Sequence, residues 1–290
     1  MKPIIFFITI VLFPVMSCDS QTTAGMLMQG LTVHSKILAR DIRYSIYLPK
    51  GYDTGKDDYP VLYLLHGYTD NDLAWVQLGK ADKILDQMIS AEEIPPLIVV
   101  MPDAGTTWYI NNFDNSVRYE DFFITEFIPQ IESIYRIKKE RKSRFVGGLS
   151  MGGFGSIVYS FRYPQLFGAV TAFSSAIYTD EQTLAKTEEM WERTEAEVYG
   201  PGLKGKDRFT DHFKAYNPLY FVNEMDPSSL NGLRIYLDCG DGDYLFRGNA
   251  LFELILNEKK IPHEYRVRDG VHNWEYWQMV LPHALRFIFN

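Results

Sequence analysis

Cysteine is almost absent: the 290 residues carry two, Cys18 and Cys239. There is no C-x-x-C pair and no His/Cys cluster, so a structural zinc site has no ligands to build from. Basic residues are outnumbered, 29 Lys and Arg against 37 Asp and Glu, and they form no dense run. With a net charge of -8, nucleic acid is excluded as a partner. Internal repeats and low-complexity tracts are missing too, which argues against a repeat architecture. The apolar run from Ile4 to Phe13 is cut by Pro14. It is too short for the roughly 20 residues that cross a bilayer as a helix.

That run suits the apolar region of a secretory signal, after the basic start Met1-Lys2. Val15-Met16-Ser17-Cys18 follows and resembles a bacterial lipobox, whose cysteine becomes the lipidated N-terminus. The expectation is a signal peptide over residues 1–17, lipid on Cys18, a tether over 19–30 and a folded domain over 31–290. The protein would then be exported and held to the bacterial cell envelope through lipid alone. Ordinary cleavage near Ser17 is the alternative. With Cys18 lipidated no disulfide remains possible within the chain, and Cys239 reads as a small buried hydrophobe after Ile235-Tyr236-Leu237.

What is present is core material: 46% of residues are hydrophobic and 23% charged. Aromatics reach 15%, a surplus that suits a cleft stacking on rings or sugars. Arg43 to Leu48 alternates as a half-buried strand. Val61 to Leu65, Leu97 to Met101, Phe145 to Val146, Ala169 to Phe173 and Arg234 to Leu237 are short continuous apolar runs, and His263 to Val267 is strand-like. Such runs suit strands covered on both faces. Helix-like stretches separate them: Lys80 to Ile89, Tyr119 to Tyr135, Phe154 to Arg162, Phe246 to Lys259 and Trp274 to Phe289. The alternation predicts an α/β fold with a mostly parallel central sheet flanked by helices. Tyr178 to Val222 is long for a connection and reads as a cap insertion over the sheet's carboxyl edge.

Gly147-Gly148-Leu149-Ser150-Met151-Gly152-Gly153 lies between the Phe145-Val146 run and a helical stretch. Gly148 to Gly152 fits G-x-S-x-G, in which a serine sits on a sharp strand-to-helix turn with room only for small neighbours. A serine hydroxyl alone is a weak nucleophile, so Ser150 needs a base and an acid to orient that base. In chain order these follow as Ser, Asp or Glu, His. His272 lies in the loop Asp269-Gly270-Val271-His272-Asn273, between a strand and the last helix, where a mobile base belongs. Asp238, Asp241 and Asp243 compete for the acid in Leu237-Asp238-Cys239-Gly240-Asp241-Gly242-Asp243. Asp238 is still at the strand end, while Asp241 and Asp243 stay close rivals. Backbone N–H groups must also meet the charge developing on a carbonyl oxygen. Met151 supplies one, and Tyr68, after Leu65-His66-Gly67, supplies the other. His66 precedes Ser150 in the chain and reads as structural.

With these residues placed, the chain resembles the esterase D-type branch of the α/β hydrolases, which includes feruloyl and acetyl xylan esterases of carbohydrate esterase family 1. The segments that carry the likeness are YPVLYLLHGYTDNDLAW, LIVVMPDAG, GGLSMGGFGSIVYSFRYPQLFGAVTAFS, DCGDGDYLF and DGVHNWEYW, in family order. The resemblance implies Ser150 as nucleophile and His272 as base, the latter in a G-x-H-x-W pattern. It implies Asp243 as acid in a C-G-x-x-D pattern, and Tyr68 and Met151 at the oxyanion hole. It implies no metal and no organic cofactor, and a small-molecule or oligosaccharide ester as substrate. The cap follows no pattern of the family.

The expected activity is removal of feruloyl or acetyl groups from plant cell-wall polysaccharide, with acyl transfer or siderophore or short-chain esterase activity as alternatives. A non-catalytic binding protein would have lost the serine or histidine. Trp108-Tyr109 lies just past Met101-Pro102-Asp103, on the edge where such sheets bind ligands. Trp274 follows His272 by two positions. All three are expected cleft walls that contact the substrate.

Overall fold

A computed structural model describes residues 24–290. The signal peptide, Cys18 and the first part of the tether therefore lie outside the described residues. Within them β1 (Met26–Ser35), β2 (Arg40–Leu48), β3 (Val61–Leu65), β4 (Ile98–Pro102), β5 (Arg144–Leu149), β6 (Ala169–Phe173), β7 (Arg234–Gly240) and β8 (Glu264–Arg268) form one sheet. Its order is β1-β2-β4-β3-β5-β6-β7-β8. β2 runs antiparallel to β1 and to β4, and every other pairing is parallel. β3, β4, β5 and β6 are buried at every position, as continuous apolar runs require.

β1 corrects one expectation. Met26 already pairs with Leu48, so the sheet begins inside the stretch read as tether. The strand is exposed at half of its positions, and its register shifts between Met28 and Leu31, where Gly30 takes φ +69°. An exposed edge strand broken by a glycine bulge leaves little alternation in the sequence.

Helices cover both faces. Ala81–Ser90 and Trp274–Phe287 pack one side over Trp75, Phe145 and Tyr236. Met151–Arg162 and the element running from Tyr119 to Ile134 cover the other. That second element changes to a π-turn over Phe123–Phe127. Pro129, at the start of its last segment, has no N–H to donate to an α-turn there.

Between β6 and β7 the expected insertion is a chain of short helices from Asp180–Ala185 to Pro218–Glu224. Thr179, Thr187, Thr210 and Asn217 cap four of them by side-chain hydrogen bonds. Arg208, 1% exposed, pins the insertion by donating to the Thr183 and Lys186 carbonyls at 2.8 Å each. Its anchors on the body include loops that follow β3 and β4: Tyr68 Oη donates to Arg193 O (3.0 Å) and Trp108 Nε1 to Thr194 O (2.8 Å). Both loops leave the carboxyl ends of their strands, so the insertion covers that edge.

Candidate active site

Ser150 joins β5 to helix Met151–Arg162 at φ 53° and ψ -117°, backbone angles that side-chain-bearing residues rarely adopt. Hydrogen bonds on both sides hold it there. Its N–H donates to Phe173 O, and its carbonyl accepts from the N–H groups of Phe154 and Ala176, all at 2.9 Å. The flanking glycines are forced by contact. A Cβ on Gly152 would stand 2.4 Å from Leu65 O, and one on Gly148 would stand 2.6 Å from the Gly152 carbonyl carbon. β3 and the turn thus touch backbone to backbone.

The structure brings the three separated side chains into one line. His272 Nε2 lies 3.0 Å from Ser150 Oγ, and His272 Nδ1 lies 2.9 Å from Asp243 Oδ2. A carboxylate can only accept, so Nδ1 carries the ring proton and Nε2 is left to accept from the serine hydroxyl. Burial pushes the Asp243 carboxyl up. His272, the Leu245 N–H and the Ser174 hydroxyl outweigh that and hold it below the usual carboxylate range. A hydroxyl bonded to an imidazole so oriented can lose its proton as it attacks a carbonyl.

The rival carboxylates are occupied elsewhere. Asp241 Oδ1 accepts from Gly270 N–H (3.2 Å) and ties the turn to the histidine loop. Asp238 is fully buried, where it accepts from Tyr236 Oη (2.6 Å), Arg268 Nε (3.0 Å) and the Tyr276 hydroxyl.

Ser174 is a residue that sequence reasoning missed. It is fully buried just past β6, with φ 44°. Its Oγ accepts from Trp277 Nε1 (3.2 Å), and its hydroxyl is among the groups that hold the Asp243 carboxyl low. Trp277 in turn stands edge-on to His272, with ring centroids 4.9 Å apart. The only trace in the sequence is a polar Ser174-Ser175 pair directly after a buried strand.

Met151 opens its helix, so its N–H has no partner within the helix and sits at the positive end of the dipole. The loop after β3 lies against Ser150: a Cβ on Gly67 would be 3.7 Å from Ser150 Cβ. His66 braces that loop from within, at 1% exposure. Its Nε2 accepts from Ala104 N–H (2.9 Å), so Nδ1 is the protonated nitrogen and donates to Gly67 O (2.8 Å). Burial pushes its pKa below the usual range, which keeps the ring neutral.

Tyr109 is the second brace, and here the expectation of a cleft wall is corrected. The side chain is fully buried. Its hydroxyl accepts from His66 N–H (2.8 Å) and donates to His66 O (3.2 Å). Trp108 and Tyr109 both take left-handed backbone angles, φ 54° and 61°. Two such residues in a row send one ring toward the insertion and the other under the loop after β3.

Residues 35–288 match the family model described as "Putative esterase". The chain belongs to this esterase family. It is 32% identical to a ferulic acid esterase of known structure, with a TM-score of 0.77 over 92% of this chain and 98% of that one. It is 25% identical to an acetyl esterase of Caldicellulosiruptor saccharolyticus, over 91% of this chain and 98% of that protein. It is 35% identical to part of an endo-1,4-beta-xylanase/feruloyl esterase of Xylanibacter ruminicola, over 53% of this chain and 22% of that longer protein. The chain thus spans about a fifth of that relative's length.

The remaining walls of the esterase cleft differ from expectation in degree. Trp108 is 4% exposed, edge-on to Phe154 (5.5 Å) and 6.0 Å from the Tyr68 ring. It faces an enclosed pocket under the cap, shared with Ile177, Tyr178, Lys186, Trp191 and Glu195, rather than an open groove. Trp274 packs edge-on against Trp75 (5.3 Å) and Trp277 (5.2 Å), which seats the last helix. Among the described residues no cluster of three or more His, Cys, Asp or Glu could hold a metal ion.

Proposed function

We propose that this esterase removes feruloyl or acetyl groups from plant cell-wall polysaccharides or their oligosaccharides through an acyl-enzyme intermediate. Ser150 Oγ attacks the ester carbonyl while His272 Nε2 takes its proton. Asp243 holds the ring in the required tautomer and stabilises the imidazolium. The N–H groups of Tyr68 and Met151 receive the oxyanion. His272 returns the proton to the leaving alcohol, and a water activated by the same nitrogen releases the acid and frees Ser150. The observation that carries this reading is the continuous line Ser150–His272–Asp243, with 3.0 Å and 2.9 Å separations, on a chain 32% identical to a ferulic acid esterase. The enzyme acts outside the cytoplasm, anchored through Cys18.

The test is a hydrolysis panel on the purified protein: methyl ferulate, acetylated xylan, and p-nitrophenyl acetate and butyrate. Turnover of methyl ferulate or acetylated xylan well above the p-nitrophenyl esters supports the reading. Activity on the p-nitrophenyl esters alone would sink the assignment to cell-wall esters.

A further inference from the structure

The nitrogen that takes the serine proton must later hand it to the leaving oxygen. The alcohol half of the ester therefore departs within hydrogen-bond reach of His272 Nε2. Two aromatic rings flank the His272 ring. Trp277 covers its inner side and is 5% exposed. Tyr244 lies with its ring centroid 4.7 Å away, tilted by 52°, and is 59% exposed. A large aromatic at the mouth of a catalytic site, next to the atom that protonates the leaving group, has no role in the triad itself.

Tyr244 is exposed yet held. It directly follows Asp243, whose Oδ1 accepts from Leu245 N–H at 2.8 Å. Its carbonyl accepts from Gln182 Nε2 of the cap (3.1 Å). An exposed ring on a held backbone offers an apolar face with a polar edge, which is the chemistry that a sugar ring presents in complement.

We propose that Tyr244 determines specificity for the alcohol half of the ester: its exposed ring is the platform for the sugar of a carbohydrate leaving group. The inference rests on the esterase function above and adds which side of the scissile bond is read. The cap acts in it by positioning, since Gln182 holds the backbone of the platform.

The experiment compares two esters that share an acyl group and differ in the alcohol, methyl ferulate and a feruloylated arabinoxylan oligosaccharide. If the wild type takes only acetyl groups, ethyl acetate and an acetylated xylo-oligosaccharide replace them. In Tyr244→Ala the ratio of kcat/KM for the sugar ester to that for the simple ester should fall about 2–13-fold, mainly through KM. Tyr244→Phe should keep most of that ratio. Equal losses on both esters would overturn the proposal, because Tyr244 would then only support His272. In parallel, the unacylated oligosaccharide should inhibit p-nitrophenyl acetate hydrolysis competitively, and less in Tyr244→Ala. No inhibition of the wild type would overturn the platform while leaving the esterase function standing. Inhibition without turnover of either sugar ester would instead overturn the assigned substrate and keep the platform.

Discussion

Tyr109→Phe separates a brace from a substrate contact. The change removes one oxygen and keeps the ring. In the structure that oxygen accepts from His66 N–H at 2.8 Å and donates to His66 O at 3.2 Å, in a site closed to solvent. Without it the His66 N–H is buried and unpaired, which costs about 1–3 kcal/mol. For a protein of this size that corresponds to a fall in Tm of about 2–5 °C. His66 precedes Gly67 and Tyr68, so the slack falls on the loop proposed to present the Tyr68 N–H to the oxyanion. kcat/KM should drop by less than the ~10²–10³ that removing an oxyanion donor outright costs. The drop should be the same for methyl ferulate and for p-nitrophenyl acetate, because every ester passes through the same oxyanion. Thermal unfolding and kinetics on both esters are the assays. A loss confined to methyl ferulate would refute the reasoning, since Tyr109 would then touch the acyl group. An unchanged Tm would show that the two bonds to His66 do not hold the loop.

The other predictions concern the triad, its support and the anchor. Ser150→Ala and His272→Ala should each lower kcat by about 10⁶, with the double variant hardly worse than either, because the residues act as a unit; additive losses would point to another centre. Asp243→Asn should cost about 10⁴, because the amide favours the wrong histidine tautomer, and Asp241→Asn far less; the reverse order would move the acid to Asp241. Ser174→Ala removes a hydroxyl that helps to hold the Asp243 carboxyl low and that receives the Trp277 indole N–H, so kcat should fall, by no more than the roughly 10-fold that one hydrogen bond to charge is worth; unaltered kcat would mean Asp243 is held without it. Labelled fatty acid should enter the wild type expressed in a bacterium and not Cys18→Ser; label in both would exclude Cys18 as the lipid site.

Much of the sheet was legible because strands covered on both faces must be apolar at every position, and β3, β4 and β6 read directly as such runs. Ser150 was legible for a related reason. Its turn touches β3 so closely that only glycine fits at 148 and 152, and steric necessity of that kind leaves a fixed spacing in the sequence. His272 followed from its loop between the last strand and the last helix. The choice between Asp241 and Asp243 did not follow from residues alone. Both stand on one turn, and which carboxylate faces the histidine depends on the Gly270 N–H that engages Asp241.

What stayed hidden depends on contacts between distant segments. Tyr109 and Trp108 were read as one aromatic wall because they are adjacent in the chain. Adjacent side chains can share a wall only if the backbone between them permits it. Here two left-handed residues in succession divide them between the loop after β3 and the cap. No glycine marks that turn, so the sequence carries no sign of it, and burial of the Tyr109 hydroxyl against the His66 backbone stabilises the unusual angles. Ser174 was hidden in the same way. Trp277 and Asp243 lie 103 and 69 positions downstream of it, and the pairing of β6 with β7 and the packing of the last helix on the sheet bring them to it. Tyr244 shows the converse. Its neighbour Asp243 drew attention to the segment as a source of charge, whereas the ring beside it gains its meaning from a cap that no family pattern foretold.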